Sequence, residues 1–90
     1  MKRVSNRDAE PYVSLKREFK GSNTFGEWIN GNYVVYSYGY HFPMYACIKG
    51  QWYRNTDRYS QTTSKHQGQL RPSISEDFVS VDTVELKKLI

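Results

Sequence analysis

Cysteine is almost missing from this chain. Cys47 stands alone, so no internal disulfide and no cysteine-based zinc site can form, and a reducing compartment is the expectation. No apolar run is long enough to span a bilayer, and the first residues, MKRVSNRDAEP, lack the apolar core of a signal peptide. A soluble intracellular protein is therefore expected. Also missing are a glycine-rich phosphate loop, a nucleophile elbow, a histidine pair at metal-ligand spacing, an RNP signature, a KH loop and a helix-turn-helix pattern. Neither a cofactor nor a metal is expected on these grounds. With no repeat and no linker composition, the 90 residues read as one domain, residues 1–10 being polar, aperiodic and expected to fray.

What the chain has is aromatic area. The hydrophobic fraction is 38% but aromatics alone reach 16%, so tyrosine and tryptophan supply much of the buried surface. They concentrate in Tyr33 to Tyr53, YVVYSYGYHFPMYACIKGQWY, which reads as antiparallel strands broken where strands must turn. Thr24 to Ile29 alternates toward Asn30-Gly31, the strongest hairpin signal present, because asparagine before glycine accepts the positive φ of a tight turn. Tyr33 to Tyr38 puts Val34, Tyr36 and Tyr38 on one face and Tyr33, Val35 and Ser37 on the other, with Gly39 as the break. Pro43 suits the start of a strand through Ile48, and Lys49-Gly50 turns the chain into Gln51 to Asn55.

Outside this stretch the signals are weaker. In Tyr12 to Phe19 a strand alternation competes with helical spacing that would begin at Pro11, and the alternation is favoured. Thr56 to Gln69 is polar, either a loop or a short helix capped by Ser60 or Thr62 and stopping near Gly68. From Ser80 the chain reads as a helix. Asp82 and Glu85 have capping-box spacing, and Lys87 and Lys88 suit the negative end of its dipole. The fold class is thus α+β, an antiparallel meander of four to five strands with a C-terminal helix packed on one face.

Charge points to a class of partner. The net charge is +4, and residues 49–71 carry Lys49, Arg54, Arg58, Lys65 and Arg71 against Asp57 alone. Such a segment favours phosphates or an acidic protein face. Beside it lie Tyr36, Tyr38, Tyr40, Trp52 and Tyr53, and rings exposed on a sheet can stack on bases while cations hold the phosphates. The run Ser60 to Gln67 adds hydroxyls, amides, Lys65 and His66. The candidate binding residues are Arg54, Arg58, Tyr59, Thr63, Lys65, His66, Arg71, Tyr38, Tyr40 and Trp52. A catalytic alternative uses His41 and His66 as acid and base with Lys65 at the phosphorane, a metal-independent ribonuclease.

The texts YVVYSYGYHFPMY and WYRNTDRYSQTTSKHQ resemble a small domain family encoded by bacteriophages and prophages, over roughly residues 19–72. The resemblance implies a setting rather than a site: an accessory protein acting in the cytoplasm of a bacterial host. There it would bind a host or defence complex that handles nucleic acid, such as a nucleic-acid-guided nuclease of the CRISPR kind, without catalysis. Direct binding of single-stranded DNA or RNA is the alternative. Either a monomer or a homodimer is compatible with this reading.

Overall fold

The computed structural model describes residues 2–57, 61–73 and 77–90, including the side chains of all of these except 2 and 61–63. Two dipeptides set its frame. Asn30-Gly31 has φ of 53° and 81°, and Lys49-Gly50 has φ of 53° and 81°. Positive φ at both positions matches the right-handed twist of the strands they join, and each pair closes a two-residue hairpin. Asn30-Gly31 joins β3 (Thr24–Ile29) to β4 (Asn32–Ser37), and Lys49-Gly50 joins β5 (Pro43–Ile48) to β6 (Gln51–Asn55).

The meander extends at both edges. β2 (Phe19–Lys20) pairs antiparallel with β3, so five consecutive strands run antiparallel. β1 (Lys2–Arg3) then adds in parallel to β2, and β7 (Val79–Val81) adds in parallel to β6. The sheet therefore has seven strands in chain order, and the class is α+β as expected. Residues 2–10 are not a frayed tail: Val4 donates its backbone N–H to Lys20 at 2.9 Å, and Ala9 is fully buried. The pairing of so short a strand depends on β2, which a local reading of polar residues does not see.

Among the described residues three α-helices and a 3-10 turn, Asn6–Asp8, accompany the sheet. α1 (Glu10–Ser14) carries Pro11 in its first turn, where the missing N–H is no loss, and takes in Tyr12 to Ser14, the start of the segment expected to be a strand. It ends in a Schellman motif. Lys16 takes φ 54°, its N–H bonds to Val13 O at 3.0 Å, and the N–H of Arg17 bonds to Tyr12 O at 2.8 Å. α2 (Gln61–Gln69) realises the helical option for the polar run. α3 (Thr83–Leu89) starts from Asp82, whose side chain accepts the Glu85 N–H at 2.8 Å, a cap that contributes about 1 kcal/mol. Ser80, expected to open this helix, lies in β7.

Each face of the sheet carries a cluster of buried side chains. On one, Tyr33, Val35, Cys47 and Trp52 share a cluster with Ala9 and Val13 from the α1 region and Leu70 from the end of α2. On the other, Val34, Tyr36, Ala46 and Ile48 cluster with Val81 and with Leu86 of α3. β4 alternates between the clusters as the sequence predicts. β5 does not, because the pairing shifts from Val35–Tyr45 to Tyr36–Pro43, leaving Met44 as an extra residue whose side chain joins the first cluster.

Candidate functional site

Because β4 from Tyr33 and all of β5 are buried, the middle of the sheet offers no open face on which bases could stack. Trp52, taken from sequence as a contact residue, is 3% exposed and stands edge-on to Tyr33 with ring centroids 6.2 Å apart. It is core. His66 is likewise 3% exposed, and its Nδ1 lies 2.9 Å from the Ser37 hydroxyl. The sequence places hydroxyls, amides and an imidazole densely on α2, and at least the imidazole is turned inward. His41 lies exposed in the turn 38–42, so the two histidines proposed as an acid–base pair differ in solvent access.

The backbone beside this buried bond is unusual. Tyr38, not Gly39, takes the left-handed conformation with φ 67°, which for a bulky residue costs about 1–3 kcal/mol. Its N–H is held by Asn23 O at 2.7 Å, and its ring, half exposed, lies 5.5 Å from the His66 ring. The residue leaves the face that strict alternation would give it and lies against α2.

His66 gives the fold a pH dependence. Burial, and secondarily Lys65, push its pKa below the ordinary histidine value of 6.5. The unfolded chain therefore binds the proton more readily than the folded one. Full stability is kept above pH 6.5 and is lost progressively as pH falls through 6.5 toward the depressed folded value. Urea midpoints measured down this range are expected to fall in the wild type and to flatten in His66→Gln. A wild-type midpoint unchanged between pH 7.5 and 5 would contradict the assignment.

The cations form a cleft between β6 and α2. Its volume is about 410 Å³, and Arg54, Asn55 and Thr56 face Ser64, Gln67 and Arg71 across it. Arg54 Nε donates to Ser80 Oγ at 2.8 Å. The Arg71 guanidinium lies over the Phe78 ring at 5.0 Å, a cation–π contact, and Phe78 lies 5.6 Å from the Tyr45 ring. Among the described residues no carboxylate pairs with either guanidinium. Asp57, the one acid of segment 49–71, accepts the backbone N–H of Thr83 at 2.9 Å, and its bonds to Thr83 hold its pKa below the usual carboxylate value. Lys65 is exposed on α2.

A second concavity of about 400 Å³ lies near the turn, lined by Lys20, Asn23, Phe25, Glu27, Tyr38 and Tyr40. Tyr40 is 58% exposed, yet its hydroxyl donates to both Glu27 oxygens at 2.7 and 2.9 Å. Its ring meets Phe25 and Tyr36 edge-on at 5.1 and 5.0 Å. The bond to Glu27 first, and then burial, raise the Tyr40 pKa; burial and then the Glu27 charge push Tyr36 up to about 12. Both hydroxyls stay protonated in neutral solution.

Of the residues proposed from sequence, Arg54, Arg71 and Lys65 share the β6–α2 region, Tyr38 touches α2 through His66, and Tyr40 lines the neighbouring concavity. Arg58, Tyr59 and the side chain of Thr63 lie outside the described residues. Ser64 and Gln67, from the polar run read in the sequence, also line the basic cleft, whereas Tyr45, Asn55, Thr56 and Gly68 line it and were missed. Only Gly68 carried a signal, since glycine inside a helix invites a reason. Among the described residues no group of three or more His, Cys, Asp or Glu could hold a metal ion, and no helix is long and apolar enough to cross a membrane. Comparison with protein-family models, curated proteins and solved structures gives no match.

Proposed function

We propose that this chain is a non-catalytic, phage-type binding protein. Its target is a host or defence complex that handles nucleic acid, engaged through the β6–α2 cleft and the exposed cation Lys65. The observation that carries this reading is the pair of braced guanidinium groups, Arg54 on Ser80 and Arg71 on Phe78, with no carboxylate partner among the described residues. A cation without an internal partner can meet an anionic surface without first breaking an ion pair of its own, and one already braced loses less side-chain freedom on binding. Because the sheet faces are occupied by core, concavity and positive charge coincide in this cleft.

The test is capture from bacterial lysate, with and without nuclease treatment, by wild type and by the double variant Arg54→Glu/Arg71→Glu. The expected result is a nucleic-acid-handling complex retained by wild type and lost by the variant, while circular dichroism shows the variant folded. Equal retention by both proteins would overturn the reading.

The half-exposed rings of Tyr38 and Tyr40 favour a second reading, direct binding of a single strand, since exposed rings beside Lys20 suit stacking with phosphate contact. That reading expects purified protein to retain a labelled oligonucleotide at low salt and to release it steeply as salt rises. Indifference to free oligonucleotide while the complex is still captured would remove it.

A further inference from the structure

We infer that the β6–α2 cleft holds a nucleotide unit, its phosphate between Arg54 and Arg71 and an N–H edge of its base near Gln67. This rests on the reading of the cleft as the contact surface and names what fills it.

The first observation is how the arginines are prepared. Arg54 uses Nε on Ser80, and among the described residues its two terminal nitrogens have no hydrogen-bond partner. The Arg71 guanidinium lies over the Phe78 ring, which meets the Tyr45 ring at a tilt of 45°, and Tyr45 is anchored where its hydroxyl donates to Gln67 O at 2.6 Å. Each guanidinium is a planar fork of donors, and such forks match phosphate oxygens.

The second is Gly68. It lies within α2, it is not among the residues with positive φ, and among the described residues a Cβ built on it would meet nothing within 4 Å. Glycine in a helix interior is unfavourable relative to alanine, and here neither backbone conformation nor close packing requires it. Gly68 lines the cleft, so the missing side chain leaves open space where a ligand would sit.

The third is Gln67, which also lines the cleft and is 9% exposed. Its Nε2 donates to the carbonyls of Asn55 at 3.0 Å and Asp57 at 3.5 Å, which fixes the sense of the amide. Oε1 is left as the buried side-chain polar atom without a partner among the described residues. An orphan acceptor of this kind is unfavourable until a donor arrives. Phosphate alone offers the arginines what they need but gives Oε1 nothing. A nucleotide, with phosphate oxygens and a base amino or imino group, can satisfy both once the amide shifts to meet it.

The test is a heteronuclear NMR titration of the full chain at low salt with inorganic phosphate, ribose 5-phosphate and each of the four nucleoside 5′-monophosphates. The inference expects saturable shifts at Asn55, Thr56, Gln67 and Gly68, with at least one nucleotide binding tighter than ribose 5-phosphate or phosphate. Arg54→Gln and Arg71→Gln should each weaken that nucleotide roughly tenfold or more. Gly68→Gln should do the same while melting no lower than wild type, which separates a blocked cleft from a damaged fold. Failure of every phosphate compound to saturate, equal binding of inorganic phosphate and nucleotides, or insensitivity to the three substitutions would each overturn the inference. If an acidic peptide saturates the cleft where nucleotides do not, the nucleotide assignment falls while the contact surface stands. If nucleotides bind but no complex is captured from lysate, the contact-surface reading fails instead.

Discussion

Trp52→Ala is expected to remove about 3–5 kcal/mol of folding stability, the range for deleting a large buried aromatic side chain. A chain of this length has roughly 5–13 kcal/mol in total, so about a quarter of the margin or more goes with one side chain. Trp52 fills the cluster that joins Tyr33, Cys47 and Leu70, with its ring edge-on to Tyr33, and α1 and the end of α2 reach the sheet through that cluster. The effect should appear as a much lower urea midpoint. Arg71→Ala, by contrast, removes an exposed side chain with one ring contact and should lower the midpoint by no more than about 1 kcal/mol. Comparable losses for the two would contradict the division between core and contact surface.

Gly26→Ala is the second large effect. A Cβ at Gly26 would stand 2.5 Å from Tyr33 Oη and 2.6 Å from Phe19 Cε1, both on fully buried residues. Neither can retreat easily. The Tyr33 hydroxyl donates to Arg17 O at 2.7 Å, and burial, with Glu18 behind it, raises the pKa of that hydroxyl further above its ordinary value. Overpacking of this kind costs about 1–3 kcal/mol or more. Tyr33→Phe alone should cost about 1 kcal/mol for the lost hydrogen bond. In the Gly26→Ala background it should cost less, because it also relieves one of the two clashes. A double-mutant cycle by urea denaturation therefore expects a coupling of about 0.5 kcal/mol or more, and strict additivity would show that the ring moves aside freely.

The parts of the fold legible in sequence are those fixed by two or three adjacent residues. Asn30-Gly31 and Lys49-Gly50 announce their hairpins because only certain residues accept positive φ at both positions. Asp82 with Glu85 announces α3 because the cap is local. The alternation of Val34 and Tyr36 against Tyr33 and Val35 separates the two clusters because one face of a strand cannot exchange with the other.

Where long-range pairing decides, the sequence is silent. Lys2–Arg3 and Val79–Val81 are strands only because β2 and β6 offer open edges. α1 is five residues long, too short for a period of 3.6 to outvote the alternation of Val13, Leu15 and Arg17. Of the candidate site, positive charge in segment 49–71 marks Arg54, Lys65 and Arg71, which the structure gathers at or beside one cleft. Polarity does not show that His66 is buried, because hydropathy cannot recognise a polar side chain that finds its partner, here Ser37, in the interior. Trp52 was misread for the opposite reason: aromatic content does not tell which face of β6 a ring takes.

Amide hydrogen exchange, compared between the free protein and the protein bound in its captured complex, tests most directly the claim that function resides in the cleft rather than on the sheet. New protection is expected at Asn55–Thr56 and along Ser64–Arg71, with the already buried β4 and β5 unchanged. Protection centred on Trp28 and α1, or on α3, with Ser64–Arg71 exchanging as in the free protein, would contradict it.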